Sequence, residues 1–109
     1  MTARTRRRPI AFARIADVAL AHGEAILSRW LPDGRVRAGE FVARNPKRSD
    51  RRPGSFSINL GTGAWADFAT GDKGGDLISL AAYLFDLSQA QAATRLAEML
   101  GEEIYEKRS

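Results

Sequence analysis

Apolar residues at Ile15, Val18, Ala19, Ile26 and Trp30 recur at helical spacing, with His22 on or beside the same stripe, so one amphipathic helix is predicted over residues 14–31. The Pro32-Asp33-Gly34 turn ends it, and Gly23 weakens its centre. The period then shortens to two. Residues 39–44 place Phe41 and Ala43 on one face and Val42 and Arg44 on the other. Residues 45–54, with Pro46, Pro53 and a cluster of Lys and Arg, read as a loop. In residues 55–60, Phe56, Ile58 and Leu60 face inward and Ser55, Ser57 and Asn59 outward. Residues 64–69 are the partner strand, joined through a three-residue Gly61-Thr62-Gly63 loop, with Trp65 and Asp67 on one face and Ala64, Ala66 and Phe68 on the other. Asp76 caps a helix running to about Phe85 with Leu77, Leu80, Ala81 and Leu84 inward. Ser88-Gln89-Ala90-Gln91 is a capping box for a last helix, in which Ala92, Ala93, Leu96, Met99 and Leu100 supply an apolar face before Gly101 ends it. The predicted class is α+β: an N-terminal helix, a small three-stranded antiparallel sheet and two C-terminal helices. Residues 1–9, with Arg4, Arg6, Arg7 and Arg8, are expected to form a flexible basic arm, residues 10–101 a single domain, and residues 102–109 a frayed tail.

Composition narrows the chemistry. The 109 residues suit one domain, and 44% hydrophobic with 28% charged residues is a globular mixture. The absence of cysteine excludes disulfides and thiolate metal sites, and His22 alone cannot supply an imidazole cluster; a partly buried, hydrogen-bonded role is expected for it. No apolar run approaches a membrane span, and a cytoplasmic monomer is expected. The carboxylates are scattered and no nucleophile–base pair can be assembled, so no enzyme activity and no cofactor are expected. Thr70-Gly71-Asp72-Lys73-Gly74-Gly75-Asp76 lacks Walker spacing and reads as a structural turn. Charge is segregated: residues 1–52 hold 13 Lys and Arg against 5 Asp and Glu, a net +8, and residues 53–109 hold 4 against 8, a net −4. The first half is suited to a polyanion.

The series Asn45-Pro46-Lys47-Arg48, Pro53-Gly54-Ser55-Phe56, Asp67-Phe68-Ala69-Thr70-Gly71, Gly74-Gly75-Asp76-Leu77 and Leu96-Ala97-Glu98-Met99-Leu100-Gly101 resembles, in order, the zinc-binding domain of DnaG-type DNA primases and of similar N-terminal modules in phage and plasmid primase-helicase proteins. The resemblance implies a zinc-ribbon-like sheet in which Asn45, Arg48, Asp67 and Thr70 stand at the metal-ligand positions. That set cannot hold zinc tightly. A hydrophobic core of Trp65, Phe56, Phe68, Leu77, Leu80 and Leu96 is expected to take over the ion's work, and an Arg48–Asp67 pair can bridge the two former knuckles.

The resemblance and the charge distribution together imply a metal-free, non-catalytic module of a DNA replication or primase-like system that binds nucleic acid, in particular single-stranded DNA template. Arg44, Lys47, Arg48, Arg51, Arg52 and Lys73 would neutralise phosphate, and Trp65 would stack on bases if exposed, although a core position for it is an equal alternative. The rival reading is a protein-interaction module that docks onto a replicative helicase, a polymerase or a primase catalytic domain, with nucleic-acid binding lost.

Overall fold

The computed structural model describes residues 8–48 and 55–107. The N-terminal apolar stripe forms two helices, α1 (Phe12–Ala21) and α2 (Gly23–Trp30), instead of the single predicted one. The break falls at His22, whose φ of −110° and ψ of 22° are outside helical values. Gly23, a poor helix former, follows the break and is buried beside Leu20, Leu60 and Leu77. His22 itself is exposed, contrary to expectation.

The sheet has five antiparallel strands in chain order, β1 (Arg35–Arg37), β2 (Glu40–Ala43), β3 (Phe56–Asn59), β4 (Trp65–Asp67) and β5 (Lys73–Gly74), so the three predicted strands lie inside a larger meander. The missing edges had weak local signals. β1 joins β2 through Ala38-Gly39, both at positive φ (51° and 79°), the two-residue turn that twists with a hairpin but is usually written Asn-Gly. β5 is only Lys73-Gly74, inside a run of turn residues.

The β3–β4 hairpin is also one residue out of the predicted register. Asn59, not Leu60, faces Ala64: the Asn59 N–H donates to the Ala64 carbonyl at 2.7 Å, and the Asn59 side-chain oxygen accepts from the Gly61 and Thr62 amides at 2.8 and 2.9 Å. The asparagine shapes a four-residue loop, 60–63, as Asn side chains do when they bond the backbone two residues on. A one-residue slip exchanges faces. Ile58 therefore opposes Trp65 and Phe56 opposes Asp67, and all four side chains point into the core. Phe68, assigned to the core from sequence, is 76% exposed on the other face.

Helices α3 (Leu77–Phe85) and α4 (Gln89–Leu100) start at the predicted caps. Asp76 accepts from the Ser79 amide at 2.8 Å, and Ser88 and Gln91 cap each other at 3.0 and 2.9 Å. Ile15, Leu27, Phe41, Phe56, Ile58, Leu77, Leu80 and Leu96 close the core between helices and sheet. Residues 102–107, in the segment expected to be the tail, run back beside the start of α1. Tyr105 bridges to Ile10, the Ala11 amide donates to the Ile104 carbonyl at 2.9 Å, and the Arg14 guanidinium donates to the Glu103 and Tyr105 carbonyls at 2.7 and 3.2 Å.

Gly74 admits the Trp65 indole against the backbone: a Cβ there would lie 2.5 Å from Trp65 Nε1 and 2.4 Å from Ser79 Oγ, whereas Gly75 has nothing within 4 Å. Gly74→Ala is therefore expected to lower unfolding free energy by about 1–3 kcal/mol, as overpacking does, with Gly75→Ala close to neutral. Urea denaturation of the two variants checks this; equal midpoints would show that the indole is not held against Gly74.

Candidate nucleic-acid interface

The polar residues that the core encloses form one network. Asp67 is 0% exposed, and its carboxylate accepts from Asn45 Nδ2 at 2.8 Å, from Arg48 Nη1 at 3.1 and 3.2 Å and from the Ala69 amide at 2.9 Å. Asn45 Nδ2 also donates to the Tyr83 hydroxyl at 2.8 Å, and that hydroxyl donates to Asp72 at 2.8 Å. The turn after β2, the end of β4, the β4–β5 loop and helix α3 are thereby tied to one another. Burial alone pushes the Asp67 carboxyl up, but the donors outweigh it, Asn45 first, then the Ala69 amide and Arg48, and hold it below its ordinary value. Desolvation, together with the neighbouring Asp72 and Asp67 charges, pushes the Tyr83 hydroxyl up, against the lowering effect of the Asn45 hydrogen bond.

Three of the four positions that the resemblance assigns to metal ligands meet in this network. They do not fit a zinc ion. Asn45 turns an N–H toward the centre, Arg48 brings a positive charge, and the anionic oxygens of Asp67, the one carboxylate among these three residues, are already taken. Thr70 is exposed, and its side chain does not reach the Asp67 carboxylate: its amide donates to the Asp67 carbonyl at 3.3 Å and its hydroxyl accepts from the Asp72 amide at 3.2 Å. No cluster of three His, Cys, Asp or Glu side chains suited to a metal occurs among the described residues.

The predicted phosphate-binding cations separate into three groups. Arg48 is committed to Asp67 and to the Ser55 hydroxyl at 3.2 Å, and Lys47 to Asp86 at 2.6 Å, with its ammonium 5.5 Å from the Tyr83 ring centre. Arg44 pairs with Asp33 at 3.4 Å on the surface. Lys73 is exposed and makes no ion pair among the described residues, and Arg51 and Arg52 lie outside them. Trp65 is 5% exposed, with its indole N–H donated to Ser79 Oγ at 3.0 Å and its ring 4.8 Å from that of Tyr83, so the core position is correct and the indole offers no stacking platform.

The face of the sheet away from the helices carries a different set. Register places Arg35, Val42, Ser57, Ala66 and Lys73 in one row across all five strands, about 19 Å long at a strand spacing of ~4.8 Å. A second row runs Arg37, Glu40, Asn59, where Glu40 accepts from the Ser57 hydroxyl and the Asn59 amide. Phe68 continues β4 on this face, its amide donating to the Ser55 carbonyl at 2.7 Å. Arg35 and Arg37, exposed and without an ion pair among the described residues, rim a hollow with Gly34, Val42 and Arg44. Neither arginine was among the cations expected from the sequence to bind phosphate, because the three-residue, fully exposed β1 carries only a weak strand signal.

No protein-family model matches the chain, and a search of curated proteins gives no match. Among solved structures, the chain is similar to the crystal structure of the Aquifex aeolicus primase, zinc-binding and RNA polymerase domains, with a TM-score of 0.72 and 22% identity over 90% of this chain and 23% of that one. Likeness at this identity establishes the fold: a primase zinc-binding-like α+β module.

Because Asp67 is held below its ordinary value, its contribution to stability is complete above about pH 4 and is lost as pH falls through the folded value. Asp67→Asn is expected to flatten that acid limb while lowering stability at pH 7 by about 3 kcal/mol, as removal of one partner of a buried pair does. Arg48→Ala should move the acid-unfolding midpoint to higher pH, since the carboxyl loses a cation. Circular dichroism from pH 2 to 7 reads both changes; superimposable acid limbs in wild type and both variants would contradict the role given to the pair.

Proposed function

We propose that this chain is a non-catalytic nucleic-acid-binding module of a DNA replication or primase-like system, and that it takes a single strand across the solvent face of its sheet. The observation that carries this reading is the row from Arg35 to Lys73: cations at both ends, small or polar side chains between them, and the exposed Phe68 ring on the same face. A flat aromatic beside unpaired cations suits single-stranded nucleic acid, because unpaired bases can stack while phosphates are neutralised. Duplex recognition would need a helix or ribbon aimed into a groove, and this face is open. The likeness to a primase structure supports the replication setting.

Fluorescence anisotropy with a labelled deoxyoligonucleotide tests the reading. Binding should fall with salt at about 0.7 log units per log unit of salt for each neutralised phosphate, so a slope near −2 is expected if Arg35, Arg37 and Lys73 each neutralise one. Phe68→Ala should weaken binding about tenfold, in line with ~1–3 kcal/mol per stacked base, and Glu40→Gln should strengthen it by removing a carboxylate from the face. Absence of measurable binding at low salt, or binding indifferent to Phe68→Ala, would refute the reading.

A further inference from the structure

A second surface lies on the helical layer, away from the sheet's open face. The ends of α2 and α3 and the outer side of α4 enclose a groove of about 210 Å³ with Ala81 and Ala92 among its lining, Trp30, Phe85 and Met99 around it, and Arg95 beside them. Phe85 is 49% and Met99 47% exposed, and the Trp30 and Phe85 rings meet edge to face at 5.5 Å. The small residues leave room for an incoming side chain. Trp, Phe, Met and Arg are also the residue types that protein interfaces concentrate.

Charge decides what fits. Arg95 is the one charged side chain lining the groove, and it makes no hydrogen bond or ion pair with any described residue. Asp86, at the end of α3, is occupied by Lys47, and Glu98, which shares with Arg95 a neighbouring hollow along α4 beside Ile10 and Tyr105, does not line the groove and makes no ion pair with Arg95. A second copy of the chain is a poor occupant. A two-fold contact centred here would bring Arg95 against its own counterpart, and each chain carries a net charge of +4. We propose that the groove between α2, α3 and α4 docks an amphipathic helix of a partner protein, whose apolar side chains enter between Phe85 and Met99 and whose carboxylate, within one turn of them, pairs with Arg95. Helix-in-groove recognition is read as apolar anchors at i and i+3 or i+4. The site uses no residue of the sheet's open face, so it does not depend on the nucleic-acid reading, and both surfaces can be occupied together.

The test pans a displayed library of random 16-residue peptides against the full chain. Enriched sequences should share apolar residues at i and i+3 or i+4 with an Asp or Glu within one turn. A synthetic version should bind, by fluorescence anisotropy, at least tenfold more weakly to Met99→Asp and to Phe85→Ser. Arg95→Glu should transfer preference to the same peptide with its carboxylate replaced by Lys, an exchange that mere loss of folding cannot produce. The proposal fails if no such sequence is enriched, if enriched peptides bind all three variants as they bind wild type, or if sedimentation shows self-association that Met99→Asp abolishes.

Discussion

A carboxylate with no exposed surface sits at the junction of four segments, and the shape of the module follows from how Asp67 is satisfied. An isolated buried carboxylate costs far more than a domain of this size can offset, so its partners must arrive with it. They come from elsewhere in the chain. Asn45 and Arg48 belong to the turn after β2, and through Asn45 the network reaches the Tyr83 hydroxyl on α3 and then Asp72 in the β4–β5 loop. A structural metal ion would draw knuckles together by demanding several electron-pair donors at once. Here the polarity is inverted: the centre is an anion and its surroundings are N–H groups. Such a clasp contains no thiolate, so oxidation has no sulfur on which to act.

The clasp lies beside an aromatic cluster of Trp65, Phe56 and Tyr83. Trp65 lies 4.8 Å from Tyr83 and 6.1 Å from Phe56, and its N–H is spent on Ser79, the residue that also completes the cap of α3. β4 and the residue that follows it therefore present a core tryptophan, a small outward alanine, the buried aspartate and an exposed phenylalanine. The same alternation that brings Asp67 to its donors turns Phe68 to solvent. The buried clasp and the exposed ring are two faces of one strand register, and neither can be moved without the other.

Much of this was legible in the chain, and the failures have local causes. The capped starts of α3 and α4 were readable because Asp76 and Ser88 announce them chemically, and the alternation of Phe56 with Ile58 identified a strand. The pairing of Arg48 with Asp67 was anticipated from the resemblance, and the geometry places them at 3.1 Å. The faces of β4 relative to β3 were not legible, because Gly61 to Gly63 suggests a three-residue loop while the Asn59 side chain makes it four. That single residue decided whether Trp65 or Phe68 was the available aromatic. β1 was missed because Ala38-Gly39 is an unusual spelling of a tight hairpin, and with it went Arg35 and Arg37.

Charge segregation along the sequence also means something different in three dimensions. Lys47 pairs with Asp86, Arg48 with Asp67, and Arg14 with Glu102 and Glu106, so each of these basic residues of the first half takes a carboxylate of the second. Folding thus sets part of the positive excess of the first half beside carboxylates of the second. Among the described residues, Lys47 and Arg48 are each beside a carboxylate, whereas Arg35, Arg37 and Lys73, spread over distant segments, remain unpaired and share one face. An exposed cation that the fold does not use keeps its full Coulomb field for a ligand, and one already beside a carboxylate must first give that partner up. By that criterion Arg35, Arg37 and Lys73 are better placed to meet an anion than Lys47 and Arg48.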